Sequence, residues 1–239
     1  MILFETLRQR NRIEEIMDDH SLDAEKHIRA LRGLERINGW SQSFSVLWGP
    51  IRNRAMKTDK NPLRILDIAT GAGDIPIRLW RMGRKSGIPL HIDACDGNPR
   101  AVAYAQEKAQ RLEIPVRFFE MDVLKEPIPP GYEVVMSSLF LHHLNEEESL
   151  LVLQKMKAST QGLILVNDLV RSWAGWVLAV AGTQLLTRSD VVHIDGPRSV
   201  QSAYTIPEMR RLAARAGLDK IHLVPRWPCR FLLAWEKKS

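Results

Sequence analysis

The sequence predicts an α/β protein with a doubly wound, mostly parallel sheet of seven strands and an N-terminal helical cap. Between residues 64 and 168, short apolar runs alternate with helical segments, which is typical of βαβ units. Two further apolar stretches, 220–224 and 230–235, predict that the sheet closes with an antiparallel last strand. Before residue 57 the apolar residues recur at helical spacing instead, and this spacing predicts the cap.

The composition of the 239 residues is that of an ordinary globular protein. Hydrophobic residues make up 45% and charged residues 26%, which excludes an intrinsically disordered chain. The two cysteines, Cys95 and Cys229, exclude a disulfide scaffold and suit a reducing compartment. The first residues include Glu5 and do not resemble a secretory signal, and no apolar run reaches the roughly 18–20 residues that a spanning helix needs. A cytoplasmic protein without a transmembrane segment is therefore expected.

The net charge is +6, and the whole excess lies in residues 171–239, which hold 11 basic and 5 acidic residues. A basic surface there suits an anionic substrate, an acidic carrier protein, a membrane face or RNA. The charge also fits a plain solvated helix face, because Arg210, Arg211 and Arg215 recur along one predicted helix.

The chain divides at a polar segment, KTDKNP, over residues 57–62. It predicts a helical cap over residues 1–56, which covers the cofactor as a lid, and a core over residues 57–239 that folds without the cap. Five strands are predicted before the last two: 64–68, 90–95, 116–120, 133–138 and 162–168.

Two helix starts carry side chains that bond back to the backbone. Asn145 with Glu148, and Thr205 with Glu208, are spaced as capping boxes, and Gly217 is placed to end the second helix.

A substrate-binding insertion is predicted near residues 170–203. Its first half, RSWAGWVLAVAGTQLL, is a helix that is apolar nearly all round. Such a helix is expected to be buried, with a surface for a greasy substrate or a membrane face as the alternative. The second half, residues 187–203, is polar, contains Gly-Pro and is predicted to be a loop. In it His193, Asp195 and Arg198 are candidate substrate contacts, and solvated loop residues are the alternative.

The first predicted strand leads into a glycine turn, Ile68-Ala69-Thr70-Gly71-Ala72-Gly73, before a helix. Glycines let the backbone approach a ligand, and a helix N-terminus favours an anionic group. The dinucleotide spacing G-x-G-x-x-G is broken, because Pro76 stands at the third glycine position. Asp67 before the glycines would repel a pyrophosphate but could hold an ammonium group.

These residues resemble the class I S-adenosylmethionine (SAM)-dependent methyltransferases, which have a Rossmann-like fold. The segment LDIATGAGD (66–74) is most similar to the first motif of the ubiquinone/menaquinone-biosynthesis methyltransferases. Three more motifs follow in order: Asp96 after the second strand, Met121-Asp122-Val123 after the third, and SSLFLHHL (137–144) at the end of the fourth. The resemblance implies SAM as cofactor and S-adenosylhomocysteine (SAH) as product.

The resemblance also assigns cofactor contacts. It implies that Asp96 binds both ribose hydroxyls and that Asp122 faces the adenine amino group. Read singly, Asp67 could cap a turn, Asp96 could be an ordinary loop residue and Asp122 could cap a helix, so the order of the motifs carries the argument. The implied cofactor-binding residues are Asp67, Ala69, Thr70, Gly71, Gly73, Asp96, Gly97, Asn98, Met121, Asp122, Val123 and Ser138.

The candidate catalytic residues are histidines. His142 and His143 follow the fourth strand, where open α/β sheets place their ligands, and histidine suits proton transfer near neutral pH. The segment LHHLNEEE is similar to the base-bearing segment of plant phenolic O-methyltransferases, which implies that His142 is the base and that the family's supporting carboxylate falls near Asn167 or Asp168. His143 and His193 are the alternative bases. A nucleophile that needs no base is a further alternative, and no metal is predicted.

The leading functional hypothesis is methyl transfer from SAM to a hydroxyl of an apolar phenolic, polyketide or quinone-like small molecule, in secondary metabolism or quinone synthesis. C-methylation of such a ring is the variant. RNA or protein methylation is disfavoured, because residues 137–140 read SSLF where amine-methylating enzymes carry Asn/Asp-Pro-Pro-Tyr. A non-catalytic SAM-binding partner protein is also considered. The partners expected are the small-molecule acceptor, a second copy of the chain or an acidic carrier, and no nucleic acid.

Overall fold

A single mixed sheet forms the centre of the computed structural model, which describes residues 7–19, 21–58 and 62–237 (the side chain of Ser43 apart). The strand order is β3-β2-β1-β4-β5-β7-β6. Strands β1 to β5 are parallel, and β7 runs antiparallel to β5 and β6. The predicted fold class is confirmed. The strands are β1 Leu63–Ile68, β2 Leu90–Asp96, β3 Arg117–Glu120, β4 Tyr132–Ser138, β5 Thr160–Leu169, β6 His222–Arg226 and β7 Arg230–Glu236.

Helices cover both faces of the sheet. On one face, α5 and α8 pack against the apolar side chains of β1, β4 and β5, and on the other face α2, α3 and α4 do the same. Because both faces are covered, the inner strands β1, β4 and β5 are almost entirely buried, as is typical of parallel sheets, whereas the edge strands β3 and β6 are partly exposed. The helices are α1 Ala24–Trp40, α2 Ser43–Lys57, α3 Asp74–Lys85, α4 Pro99–Arg111, α5 Glu146–Ser159, α6 Trp173–Leu186, α7 Asp190–Ser202 and α8 Ile206–Arg215.

Both predicted capping boxes are formed. The side chain of Asn145 accepts from the backbone of Glu148 while the Glu148 carboxylate accepts from the backbone of Asn145, and Thr205 and Glu208 repeat the arrangement. Gly217 has a φ of +72°, the left-handed conformation that ends a helix at little cost. These local signals fix where α5 and α8 begin and end.

The second helix of the predicted cap packs as part of the sheet layers. Leu47 and Ile51 of α2 are fully buried among sheet residues such as Ile65 and Leu165. A domain boundary at residue 56, as predicted, would therefore place α2 in the cap although it packs against the sheet of the core. We propose that the core begins near residue 42 and that the cap consists of α1 and the segment before it.

Three local expectations are wrong. Residues 187–203 are not a loop, because α7 begins at the Ser189 cap and buries Val192 and Val200, and this burial outweighs the Gly-Pro pair inside the helix. Helix α6 is not buried, since several of its large apolar side chains face outward. Residues 7–15 are not helical, and a single 3₁₀ turn, Ile16–Asp18, follows them.

Among the described residues, no helix is long and apolar enough to cross a membrane.

The segment of residues 7–19, called the strap below, crosses from α7 to the turn after β4.

Candidate active site

The glycine turn after β1 is held in left-handed backbone. Ala69 and Gly71 both have a φ of +54°, and Gly73 has +66°. A Cβ on Gly73 would lie 2.6 Å from Phe118, so this glycine is needed for packing, whereas a Cβ on Gly71 would meet open space. Gly71 therefore leaves room for a ligand against the backbone. Ala69 adopts its left-handed conformation directly after β1, and such backbone strain is common at functional sites.

Asp67 points a buried carboxylate into this turn. Its Oδ2 accepts from Thr70 Oγ1 at 2.7 Å, while Oδ1 has no hydrogen-bond partner among the described residues. Burial raises the pKa of Asp67 to about 7, although the Thr70 hydrogen bond opposes the shift. A buried carboxylate oxygen without a partner is costly unless a ligand satisfies it, and a cationic ligand group would do so.

Asp96 ends β2 beside the same turn. Its Oδ2 accepts from the backbone N–H of Gly71 at 2.8 Å, and its Oδ1 accepts from that of Asn98 at 2.9 Å. Asn98 in turn caps α4 by accepting from Arg100 N. Burial raises the pKa of Asp96, and the two backbone hydrogen bonds oppose the shift. The carboxylate is thus fixed at the carboxyl edge of the sheet.

The third motif lies against the second. A Cβ on Gly97 would lie 3.9 Å from the Cα of Asp122, so the ends of β2 and β3 are adjacent. Met121 and Val123 are buried, and Asp122 accepts from Leu124 N while pairing with Lys125 at 2.8 Å. The Lys125 hydrogen bond lowers the pKa of Asp122.

Helix α1 covers the glycine turn. Leu31 packs against Ala72 and Ala101, beside both the turn and the start of α4. At the next turn of α1, Glu35 pairs with Lys108 of α4 at 2.8 Å. Helix α1 thus lies beside the glycine turn and α4, and its action as a lid over the cofactor stays a prediction.

His142 and Asp168 form a buried pair across the ends of β4 and β5. His142 Nδ1 lies 2.6 Å from Asp168 Oδ1, and the backbone N–H of His142 donates to Oδ2 at 3.3 Å. Burial raises the pKa of Asp168, but His142 outweighs it, so that the net shift is downward and the carboxylate stays ionised. An ionised Asp168 fixes the proton on Nδ1 and leaves Nε2 as the proton acceptor. In the same layer, Ser138 Oγ accepts from Asn167 Nδ2 at 2.8 Å.

A residue that the sequence did not indicate completes this pair. Glu15 of the strap is buried, and its Oε1 lies 3.6 Å from His142 Nε2 and 3.9 Å from His143 Nδ1. Ser199 of α7 donates to the same oxygen at 2.5 Å. Glu15 lies in no recognisable motif, and it is 127 positions before His142 in the sequence. Only the fold brings the two side chains together.

His143 binds a second carboxylate of the strap, that of Asp18. Its Nδ1 lies 2.9 Å from Asp18 Oδ2, and its ring centroid is 4.3 Å from that of His142. Burial alone would lower the pKa of His143, but the carboxylates of Glu15 and Asp18 raise it to about 10. His143 is therefore a cation at neutral pH and ties the strap to the turn after β4.

This charge gives a prediction for stability against pH. Because the pKa of His143 is about 10 in the folded chain and about 6.5 when unfolded, its contribution is complete below about pH 6.5 and lost as the pH rises through about 10. Urea unfolding at pH 7 and pH 10 should show a larger loss of stability for the native chain than for His143→Gln. Equal losses in the two proteins would contradict the assigned charge.

The other predicted substrate contacts hold the strap or lie apart. Asp195 accepts from the backbone N–H groups of Ile16 and Met17, at 2.9 and 3.0 Å, and Arg198 donates to the Glu14 carbonyl. His193 Nε2 lies 3.0 Å from the Thr187 carbonyl. The structure therefore brings Asp168 to His142 but does not bring His193 to that pair.

Comparison with known proteins identifies the domain. Residues 65–161 match the family model described as a methyltransferase domain. A demethylmenaquinone methyltransferase of Thermus thermophilus is 37% identical over 82 residues, which are 34% of this chain and only 36% of that relative.

Solved structures share the fold at low identity. A SAM-dependent methyltransferase from Aquifex aeolicus aligns with a TM-score of 0.62 and 19% identity, over 90% of this chain and 99% of that one. Magnesium protoporphyrin IX methyltransferase from Synechocystis, with bound SAH, aligns with a TM-score of 0.58 and 16% identity, over 99% and 95%.

The described residues fit SAM as the cofactor. The unpartnered oxygen of Asp67 suits its ammonium group, the open space at Gly71 admits it against the backbone, and Asp96 stands fixed at the adjacent strand end. Residues 65–161 are therefore a methyltransferase domain, and the chain as a whole has the fold of solved SAM-dependent methyltransferases.

Proposed function

We propose that the chain methylates a hydroxyl of an apolar phenolic, polyketide or quinone-like small molecule, with SAM as the methyl donor. The observation that carries the proposal is the buried His142–Asp168 pair at the carboxyl ends of β4 and β5. A hydroxyl is a weak nucleophile until it loses its proton, so an oriented imidazole at this edge of the sheet suits O-methylation.

His142 is proposed to take the hydroxyl proton on Nε2. Asp168, ionised and 2.6 Å from Nδ1, holds the ring in the tautomer whose Nε2 is free to accept. When bound, SAM supplies the methyl group on a positively charged sulfur. The protein's remaining contribution is to hold the acceptor in line and to exclude water.

Glu15 is proposed to stabilise the protonated ring. Its carboxylate lies 3.6 Å from Nε2, close enough to attract the positive charge that appears on the imidazole when the proton arrives. Because His142 is only 3% exposed and Glu15 of the strap faces its Nε2, the strap is proposed to shift when the acceptor enters and then to return over His142.

An apolar acceptor is supported by the surroundings and by a relative. Leu139 and Phe140, both half-buried, lie between β4 and His142, and Leu139 has a left-handed φ of +57°. The Thermus thermophilus relative is named for demethylmenaquinone, a quinone. That name also favours C-methylation of a quinone-like ring as the second candidate.

The proposal is tested by SAH release with a panel of phenols, hydroquinones and polyketides. A methoxy signal in the NMR spectrum of the product would support O-methylation, and a ring methyl would support the second candidate. Adenylated or structured RNA as sole acceptor would overturn both.

A metal-dependent reaction is distinguished in the same assay. Glu15, His142 and His143 offer ligand atoms within 4.8 Å of one another, but each histidine Nδ1 already faces a carboxylate. We therefore keep the prediction that no metal takes part. Full activity after dialysis against EDTA is expected, and activity restored only by added Zn²⁺ or Mg²⁺ would contradict it.

The cap gives a further prediction. A chain starting at residue 42 should remain folded but turn over slowly, because it lacks α1 and the strap with Glu15. A chain starting at residue 58 should lose its cooperative unfolding transition, because it lacks α2 and therefore exposes the sheet residues that Leu47 and Ile51 of α2 cover. Deleting even one such buried side chain costs about 2–5 kcal/mol. Circular dichroism and SAH release measure the two effects, and normal turnover by the first chain would contradict the lid.

A further inference from the structure

Helix α6 turns its large apolar side chains away from the protein. Trp173, Val177 and Leu185 are 42%, 44% and 84% exposed, and their spacing of four or eight residues places them on one side of the helix. Ala174 and Ala181 are also exposed. We call these five residues the apolar stripe. The outward position of Val177 and Leu185 is the reverse of that in an ordinary surface helix, whose apolar side faces the core.

The opposite side of α6 explains this orientation. Gly175 and Thr183 are buried, and a Cβ on Gly175 would lie 3.2 Å from the Cβ of Cys229. At the other end, a Cβ on Gly196 of α7 would lie 2.6 Å from Thr183. The helix is therefore attached through its smallest side chains, which allow close approach and leave the stripe outside.

Tryptophans gather at the first turn of α6. Trp173 and Trp176 stack with ring centroids 5.5 Å apart. Trp227, 71% exposed, precedes by two residues the Cys229 that packs on Gly175. Tryptophan joins an apolar ring to a polar N–H and is enriched where an apolar phase meets water.

Four exposed arginines, three on α1 and one just after α6, surround a cavity at the C-terminal end of α6. Arg29, Arg32 and Arg36 recur along one side of α1, and with Arg188 they line a cavity of about 310 Å³. We call these four the arginine group. Thr187, which also lines the cavity, directly follows Leu185 and Leu186, so the cavity lies at the C-terminal end of α6. Within the described part of the chain, no carboxylate pairs with any of the four.

We propose that the apolar stripe and the arginine group together dock the protein on an anionic lipid bilayer. Apolar and aromatic side chains on an exposed helix enter the headgroup region, while arginines bind lipid phosphates there. An RNA or an acidic protein would satisfy the arginines but leave the stripe in water. A second copy of the chain would cover the stripe without lipid, and light scattering distinguishes that case.

The inference does not rest on the proposed reaction, because its test measures binding alone. The full chain is sedimented with vesicles of phosphatidylglycerol and phosphatidylcholine in equal parts, and with vesicles of phosphatidylcholine only. Binding to the anionic vesicles should be stronger and should weaken as salt is added. Absence of binding to anionic vesicles at low salt would overturn the proposal.

Paired variants separate the two parts of the surface. Val177→Gln with Leu185→Gln should lower the partition coefficient about 10-fold or more, given the apolar area withdrawn from the lipid. Arg32→Glu with Arg36→Glu should lower it about 30-fold or more, from the loss of two phosphate-binding cations. All four side chains are exposed, so the fold should be kept, as circular dichroism can check.

Matched controls lie on the other face of the sheet, where α5 and α8 pack together. Arg210→Glu with Arg211→Glu makes the same charge change there, and Leu151→Gln removes an exposed apolar side chain. These variants should lose little affinity for the anionic vesicles. Equal losses in test and control variants would overturn the proposal. So would a concentration-dependent dimer, seen by light scattering, that the stripe variants abolish without any change in vesicle binding.

Discussion

Replacing His142 by alanine should lower the turnover number by roughly 10²–10⁴, the usual contribution of general base catalysis. The structure gives the reason, since His142 is the only described histidine whose Nδ1 is held by a buried carboxylate at the ends of β4 and β5. The affinity for SAM should change little, because His142 is not among the residues of the glycine turn. Single-turnover kinetics at saturating SAM measure the effect.

Three further variants decide whether the loss belongs to proton transfer. Asp168→Asn should also lower turnover, because the amide can no longer hold the proton on Nδ1 of His142. His193→Ala should be nearly normal, since that ring lies against the Thr187 carbonyl. His143→Ala should act mainly on the strap. A full rate in the His142 variant with loss in the His143 variant would move the base to His143. Full rates in all of them would leave orientation as the source of catalysis.

Replacing Asp96 by alanine should weaken SAM binding by about 1.5–3 kcal/mol, the scale of hydrogen bonds to a charged group. That corresponds to a dissociation constant about 10–150 times larger. Asp96 is fixed by the N–H groups of Gly71 and Asn98, so its carboxylate is preorganised beside the glycine turn. Isothermal titration calorimetry with SAM and SAH measures the change.

Two variants guard against an indirect effect. Asp96→Asn keeps one acceptor oxygen for the turn while removing the charge, so it should bind SAM between the native chain and Asp96→Ala. Glu120→Ala removes the same charge from the exposed residue that pairs with Asp96 across β2 and β3. It should bind normally. Unchanged SAM affinity in Asp96→Ala would remove Asp96 from the cofactor site.

The residues of the glycine turn could be assigned from the sequence because their signals are local. The turn Ala69 to Gly73, the carboxylate at Asp96 and the capping boxes at Asn145 and Thr205 each depend on neighbours within a few positions. Backbone geometry at that range follows from residue type, so spacing predicted the sheet, whereas the order of the motifs came from the resemblance to methyltransferases. The resemblance put a supporting carboxylate near Asn167 or Asp168, and of these two it is Asp168 that lies 2.6 Å from Nδ1 of His142.

Tertiary packing decided the rest. Helix α7 continues across its Gly-Pro pair because the helix buries Val192 and Val200, and this burial outweighs the low helix propensity of glycine and proline. The exposed face of α6 could not be read from a helix that is apolar all round, because such a helix has no polar face to show which side meets water. Glu15 reached His142 only through the path of the strap, fixed by Asp195. The sequence by itself determined the sheet and the glycine turn, whereas long-range contacts, which no local spacing encodes, determined what surrounds His142, the proposed base.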